Sequence, residues 1–137
     1  MKVLWNDRIV DESEVKIDLE DRGYQFGDGI YEVIRIYDGC FYMEKEHLDR
    51  LWTSAEKVRL TLPFTRTELS QRLHRLAAEV GLANARIYFQ VTRGTAKPRL
   101  HDFPDPQEVT PVLLADIQPA TRPASKQNIG IRAGFVE

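Results

Sequence analysis

Two basic side chains, Arg99 and His101, stand two residues apart in a proline-containing basic stretch, residues 94–107. Loops on a rigid scaffold often carry binding groups, and an arginine fork can hold a carboxylate through two parallel hydrogen bonds. The spacing is compatible with an anion-binding pair. An ordinary solvated loop explains the same pattern, and the two residues alone do not decide between these interpretations.

Arg50 and Tyr31 are ambiguous in the same way. Arg50 falls outside the apolar stripe of a predicted helix, and on the sequence alone this favours a solvated arginine, although the position is also compatible with binding an anion. Tyr31 lies on a strand face with Val33, Arg35 and Tyr37, and this mixture is more typical of a cleft than of a dry core. A half-buried tyrosine with its hydroxyl bonded to backbone also fits the pattern.

Cysteine and histidine chemistry has little support. Cys40 is the single cysteine, which excludes an intrachain disulfide and a cysteine-based zinc site. We expect it to be a half-buried strand residue. His47, His74 and His101 have no metal-ligand spacing among themselves or with nearby carboxylates. The sequence therefore predicts no metal centre.

Composition narrows the class of protein. A chain of 137 residues with 42% hydrophobic and 29% charged residues is typical of a soluble globular protein. The net charge of -2 comes from 19 basic and 21 acidic residues spread along the chain, so no broad field attracts nucleic acid or an anionic membrane. The apolar runs are far shorter than the roughly 20 residues that span a bilayer, and the first residues lack a secretory signal. We expect a cytoplasmic protein.

Strand signals dominate the first half. Ile30 to Tyr37 is a β-branched and aromatic run closed by Asp38 and Gly39, a strong hairpin signal, and it follows a turn-rich stretch at residues 24–29. Ile87, Phe89 and Val91 alternate with polar residues in the same manner further along the chain. The predicted strands are residues 2–5, 8–10, 30–37, 40–43, 86–92 and 110–117.

Two segments have helical periodicity instead. The first begins at Glu44 and carries acidic residues in its first turn, as the helix dipole favours. The second follows Pro63, has Thr65 and Glu68 spaced as a capping box, and ends at Gly81. Their apolar stripes are Leu48, Leu51, Trp52, Ala55 and Val58 in the first, and Leu69, Leu73, Leu76, Ala77 and Val80 in the second. The predicted fold class is α+β, a small antiparallel sheet with two helices packed on one face.

A domain boundary is predicted near the end of the chain. Residues 119–126 have linker composition, with prolines and small polar residues and no periodicity. We therefore expect a small α+β domain at residues 1–118 and a linker at residues 119–126. Residues 127–137 would begin a following domain whose first strand is Asn128 to Val136.

One segment resembles a known family. Residues 21–33 read DRGYQFGDGIYEV, which is similar to the signature of the fold-type-IV pyridoxal-phosphate enzymes, in particular the D-amino-acid aminotransferases. Three more pieces follow in the family's order: EHLDRL at 46–51, IYFQVTRG at 87–94 and PRLHDFP at 98–104. The resemblance covers essentially the whole chain. It implies a small N-terminal domain, a linker and a larger C-terminal domain, with pyridoxal 5'-phosphate between them.

The resemblance also implies roles for four residues. Arg50 matches the arginine that binds the cofactor phosphate, and Tyr31 matches a tyrosine that lines the active site. Arg99 and His101, with Tyr31, match the carboxylate trap of D-amino-acid aminotransferases, whose loop reaches over from the neighbouring subunit of a homodimer. The implied substrates are D-amino acids and 2-oxo acids. Tyr88 is expected on the same cleft face as Tyr31.

The resemblance further implies an active-site lysine that binds the cofactor covalently and moves a proton. The six lysines of this chain match no such position, and we expect that lysine shortly beyond Glu137. The expectation is a truncated N-terminal part that is inactive alone. Two alternatives stay open: a non-catalytic carboxylate- or anion-binding module, and another fold-type-IV enzyme such as a branched-chain aminotransferase or an aminodeoxychorismate lyase. The pair Arg99 and His101 argues against the latter.

Overall fold

The computed structural model of the protein describes residues 1–121 and 124–135. The strands are β1 (Lys2–Trp5), β2 (Arg8–Asp11), β3 (Gly29–Tyr37), β4 (Cys40–Phe41), β5 (Ala85–Thr92) and β6 (Val112–Pro119). The helices are α1 (Arg22–Phe26), α2 (Glu44–Lys57), α3 (Arg66–Val80) and α4 (Ala124–Ile129), with a 3-10 turn at Glu12–Glu14. All of these strands join one antiparallel sheet in the order β2-β1-β6-β5-β3-β4.

The predicted alternation of β5 sets the two faces of this sheet. Ile87, Phe89 and Val91 are fully buried, whereas Tyr88 and Gln90 between them are only partly covered. Because β5 pairs with β3 on one side and β6 on the other over its whole length, it forms the centre of the sheet. Burying apolar side chains on one face leaves the opposite face for polar and aromatic groups.

Helices α2 and α3 contribute to the buried core formed with the sheet, and this confirms the predicted α+β class. Their fully or nearly buried side chains are Leu48, Leu51 and Ala55 in α2, and Leu69, Leu73 and Leu76 in α3. The capping box is also confirmed, since the Thr65 hydroxyl accepts from Glu68 N at 3.2 Å and the Glu68 carboxylate accepts from Thr65 N at 2.7 Å. The helix starts where its end groups are satisfied.

The turn-rich stretch before β3 contains a short helix that the periodicity did not predict. Asp21 caps α1 by accepting from Gly23 N at 2.8 Å, and Gly27 ends it in the left-handed region with φ 64°. Gly23 has little room, because a Cβ there would lie 2.3 Å from Thr92 Cγ2. The absence of a side chain lets α1 pack directly on the end of β5.

The predicted strand at residues 128–136 is wrong over the part that the structure describes. Residues up to Ile129 are helical in α4, residues 130–135 form no regular element, and Val136 lies outside the described residues. Ile129 and Ile131 are 86% and 80% exposed, so no apolar face is buried here to favour a strand. The limits of the domain and linker remain a prediction.

Cys40 needs a correction of a different kind. It does lie in a strand, but it is exposed rather than half-buried. The reason is that β4 is only two residues long and lies at the edge of the sheet.

Among the helices of the described residues, none has the length and apolar character required to cross a membrane.

Candidate functional site

A buried carboxylate, that of Glu32, organises the basic residues at the start of α2. Glu32 lies on the helix-facing side of β3 between Ile30 and Ile34, and only 2% of the residue is exposed. Arg50 donates to it from Nε and from Nη2, both at 2.5 Å, and His47 Nδ1 lies 2.8 Å from the same carboxylate. His47 and Arg50 are three residues apart on α2, so both reach the same side of the helix.

Charge pairing keeps Glu32 and Arg50 ionised. Burial on its own raises the pKa of Glu32, but the hydrogen bonds from Arg50 and His47 outweigh it and hold that pKa below its ordinary value. The same hydrogen bond raises the pKa of Arg50, with a smaller contribution from the charge of Tyr31. Arg50 is therefore a permanent cation whose Nε and Nη2 edge is occupied by Glu32.

The rest of the Arg50 guanidinium faces outward. Its side chain is 64% exposed, and Nη1 has no hydrogen-bond partner within residues 1–121 and 124–135. The prediction that Arg50 projects away from the apolar stripe is confirmed. Its orientation, however, is set by Glu32 rather than by solvent, and this leaves a fixed donor available to an anion.

Tyr31 and Tyr88 lie together on the sheet face opposite Glu32. Their rings stack with centroids 5.6 Å apart, and Tyr31 is 64% exposed. The Tyr88 hydroxyl donates to Gln90 Oε1 at 2.8 Å, and burial raises the pKa of Tyr88. The prediction that Tyr88 shares the Tyr31 face is confirmed. Because β4 pairs only with Ile36 and Tyr37, the first part of β3 has no β4 partner at this edge.

Arg99 and His101 lie on an exposed loop, and their hydrogen bonds and ring contacts among the described residues are with residues other than Tyr31 and Tyr88. Arg99 binds the Glu20 carboxylate from Nη2 at 3.1 Å and from Nε at 3.3 Å, and the His101 ring lies 5.2 Å from the ring of Phe26. Within the described part of one chain, neither residue makes a hydrogen bond or a ring contact with Tyr31. The structure thus brings Arg99 near His101 but does not join them to Tyr31.

A second ionic cluster, which the sequence reasoning missed, lies beneath that loop. Arg22 Nε and Arg93 Nε donate to Asp28 Oδ2 at 2.7 and 2.8 Å, and Arg93 Nη2 donates to Asp28 Oδ1 at 2.9 Å. Burial raises the pKa of Asp28, but hydrogen bonds first from Arg93 and then from Arg22 more than compensate and lower it. We call these three residues the Asp28 cluster.

Glu32 and His47 were also missed, although Glu32 gave a signal. Its place between Ile30 and Ile34 puts a carboxylate at a core position of a β-strand, where an unpaired charge would be costly. Such a residue predicts a cationic partner. Asp28 lies in a turn-rich stretch without periodicity, so no spacing predicted its burial between Arg22, six residues away, and Arg93, 65 residues away. In the described part of the chain, no group of three or more histidine, cysteine or acidic side chains is arranged to hold a metal ion.

Sequence and structure comparisons assign the chain and its fold to a class of protein. Residues 29–135 match the profile of the family described as amino-transferase class IV. The chain belongs to the class IV aminotransferases, as its resemblance implied, and its α+β fold is that of the fold-type-IV enzymes.

Individual relatives narrow the likeness further. The D-alanine aminotransferase of Listeria monocytogenes is 47% identical over 115 residues, covering 84% of this chain and 40% of that protein. That of Staphylococcus haemolyticus is 44% identical over 136 residues, covering 99% of this chain and 48% of that protein. The chain thus spans less than half the length of these curated relatives.

A solved structure shows the same fold at low sequence identity. The branched-chain aminotransferase of the thermophilic archaeon Thermoproteus uzoniensis, crystallised with norvaline, has a TM-score of 0.78 and 24% identity to this chain. The match covers 89% of this chain and 41% of that one. At this identity the likeness concerns the fold.

Proposed function

We propose that this chain supplies the phosphate-binding and carboxylate-binding side chains of a pyridoxal-phosphate-dependent D-amino-acid aminotransferase. The enzyme would move an amino group between D-amino acids and 2-oxo acids. The observation that carries the proposal is the identity of about half the residues to D-alanine aminotransferases over 84% of the chain. The outward-facing guanidinium of Arg50 gives that likeness a physical counterpart.

Arg50 fits the phosphate of the cofactor. A phosphate requires fixed cationic donors, and arginine provides them in a planar fork. Glu32 neutralises one edge of the guanidinium and fixes the plane of the group, while Nη1 and the exposed surface of the side chain remain open. His47 is the second partner of Glu32 and completes the support of this edge. In the proposal, Arg50 binds the phosphate and Glu32 holds Arg50.

Tyr31, Arg99 and His101 would bind the substrate carboxylate. The pairing of Arg99 with Glu20 demonstrates that its guanidinium can bind a carboxylate along the Nε and Nη2 edge, and Nη1 has no partner within the described residues. Because neither Arg99 nor His101 makes a hydrogen bond or a ring contact with Tyr31 among the described residues of one chain, we propose that the trap is completed in a homodimer. The loop of one subunit would then face Tyr31 of the other.

Pyridoxal phosphate, when bound, supplies an aldehyde that takes up the amino group and a conjugated ring that stabilises negative charge at Cα. The residues of this chain bind and orient around that chemistry: Arg50 fixes the phosphate end, and Arg99 with His101 fixes the carboxylate of the amino acid. Fixing both ends sets which face of Cα is presented for proton transfer. No lysine of this chain matches the proton-transferring position, so we assign that step to a lysine outside residues 1–137.

Substrate selectivity tests the proposal. The enzyme containing this chain should transfer the amino group of D-alanine to 2-oxoglutarate, while L-leucine and aminodeoxychorismate should give little product. The control is the Arg99→Leu variant, which should lose D-alanine turnover at low substrate and recover much of it at high substrate. A preference for L-leucine or for lyase chemistry would identify a different class IV enzyme.

The isolated 137 residues are expected to be inactive. Incubation with pyridoxal phosphate, borohydride reduction and intact-mass measurement should give no stoichiometric adduct on a single lysine. D-alanine turnover, measured on the sample before reduction, should equal the turnover given by free cofactor. A single fully labelled lysine would refute the assignment of the lysine to a position outside the chain.

A further inference from the structure

The Asp28 cluster is almost completely removed from solvent. The side chains of Arg22 and Arg93 are each 4% exposed and that of Asp28 is 9% exposed. Two buried guanidinium groups share one carboxylate, so the cluster carries an excess positive charge in a medium of low dielectric. Such an excess is tolerated only if the remaining donors find acceptors.

Backbone carbonyl groups provide those acceptors. Arg22 Nη1 donates to Leu100 O at 2.7 Å, and Arg22 Nη2 lies 3.4 Å from His101 O. Arg93 Nη1 donates to Arg59 O at 2.9 Å and Arg93 Nη2 to Val58 O at 2.8 Å, at the end of α2. The two arginines share Asp28, but their remaining hydrogen bonds hold different segments: those of Arg22 hold residues 100 and 101, and those of Arg93 hold the end of α2.

Apolar burial contributes little to the position of this part of the loop. Leu100 and Phe103 are 56% and 55% exposed, so neither is anchored in the core. The nearby ring contacts also involve the cluster. The Phe26 ring contacts both the Arg22 guanidinium at 4.8 Å and the His101 ring at 5.2 Å, and the Phe103 ring contacts the Arg93 guanidinium at 4.3 Å. Arg22 is therefore the main attachment of residues 100–101 to the body of the protein.

The carbonyl groups that Arg22 holds belong to residues 100 and 101, directly beside the proposed carboxylate-binding residues. Fixing the Leu100 and His101 carbonyls fixes the backbone from which the Arg99 and His101 side chains project. We infer that Arg22, held in place by Asp28, is a positioning residue for the substrate-carboxylate loop. The inference rests on the proposed function for the role of that loop, and the attachment itself rests on the hydrogen bonds.

The test replaces Arg22 by lysine, which keeps the charge near Asp28 but cannot bind the carboxylate and both carbonyls through a planar fork. Arg93→Lys is the matched control, because it makes the same change on the same carboxylate without a hydrogen bond to residues 100 or 101. Its contact with the loop is with the Phe103 ring, 4.3 Å from the Arg93 guanidinium. Backbone order parameters from NMR should fall at residues 100–102 in Arg22→Lys, from about 0.85 to below about 0.6. Those of β5 should stay high, and Arg93→Lys should leave residues 100 and 101 ordered.

Kinetics then separate positioning from general damage. In the enzyme containing this chain, Arg22→Lys should raise KM for D-alanine about tenfold with kcat within about twofold and cofactor affinity unchanged, a loss of about 1.4 kcal/mol in carboxylate binding. Unchanged order parameters at residues 100–102 in a folded Arg22→Lys protein would overturn the inference. So would equal disorder at residues 100 and 101 in Arg93→Lys.

The proposed function has its own independent outcome. If Arg99→Leu leaves KM for D-alanine unchanged, the carboxylate site is wrong, whatever Arg22→Lys does to loop order. If Arg99→Leu raises KM while Arg22→Lys changes neither loop order nor KM, the function stands and the positioning role is refuted. If Arg22→Lys does not fold, Phe26→Leu replaces it, because this change removes the ring that contacts both Arg22 and His101. Phe26→Leu must then raise KM for D-alanine and lower the loop order parameters, or the inference fails.

Discussion

The two ionic clusters of this small domain use the same groups in opposite ways. In the cluster around Glu32, the carboxylate is buried and the guanidinium of Arg50 is 64% exposed. In the Asp28 cluster, both arginines and the carboxylate are buried, and the spare donors of the arginines bind backbone carbonyls. The first cluster therefore leaves an exposed cation, the proposed phosphate-binding group, and the second connects three segments of chain.

The difference shows how an arginine acquires a binding or a structural role. What matters is how many of its donors remain after the carboxylate is satisfied, and whether those donors meet water or backbone. Arg50 retains Nη1, which has no partner in the described residues, whereas Arg22 uses Nη1 on Leu100 O. Removing the Asp28 carboxylate should accordingly lower the free energy of unfolding. Removing the Glu32 carboxylate should mainly change the orientation of Arg50.

The largest effect should come from Asp28→Asn. This change leaves two buried guanidinium groups without a charged partner, and breaking a buried ion pair from one side costs about 3–5 kcal/mol. Urea unfolding followed by circular dichroism measures the free energy of unfolding. Asp49→Asn, at an exposed pair with Lys45 and Arg66, is the control and should scarcely change the midpoint. A small effect of Asp28→Asn would mean that the cluster is not structural.

Glu32→Gln should cost less. Arg50 can turn to water when its partner loses the charge, so the expected loss is about 1.5–3 kcal/mol, the range for hydrogen bonds to charged groups. The same urea experiment measures it. A loss equal to that of Asp28→Asn would remove the proposed distinction between the clusters. A loose Arg50 should, in addition, weaken cofactor binding in the enzyme containing this chain.

The smallest expected effect is in the pH dependence of stability. The pKa values of Asp28 and Glu32 lie below their ordinary values of 3.8 and 4.5 in the folded protein, so the unfolded chain takes up protons first as the pH falls. Both groups therefore stabilise the fold fully above about pH 5, and that contribution is lost as the pH falls through their folded pKa values. Urea midpoints between pH 3 and 7 should fall at the acid end. The fall should be shallower in Asp28→Asn, and an unchanged slope would contradict this account of Asp28.

Local sequence signals predicted most of the strands, helices and turns of the fold. The Asp38–Gly39 turn, the alternation of β5 and the capping box at Thr65 each depend on residues close in sequence, and each has the expected structure. Helix α1 escaped prediction because five residues are too few to show a helical period, although Asp21 and Gly27 have the cap residue types. The strand expected after residue 127 failed because an apolar pattern alone does not supply a partner strand.

The candidate site shows the same difference between features that local sequence patterns predict and features that depend on distant residues. The outward direction of Arg50 follows from helical periodicity, and the shared face of Tyr31 and Tyr88 follows from strand alternation and pairing. The supports of the site join distant residues: Glu32 reaches Arg50 across 18 positions, and Arg22 reaches Leu100 across 78. Only the fold brings such pairs together, so the binding residues could be named from sequence while the residues that orient them could not.

The most direct test of the proposed binding roles compares Arg50→Ala with Arg99→Leu in the enzyme containing this chain. Cofactor Kd and KM for D-alanine are measured for both variants. Arg50→Ala should weaken pyridoxal phosphate binding about 10- to 100-fold, as expected for a lost hydrogen bond to a charged group. Arg99→Leu should raise KM by a similar factor with cofactor affinity unchanged. The reverse pattern, or equal losses of both affinities in both variants, would contradict the assignment of a phosphate site to Arg50 and a carboxylate site to Arg99.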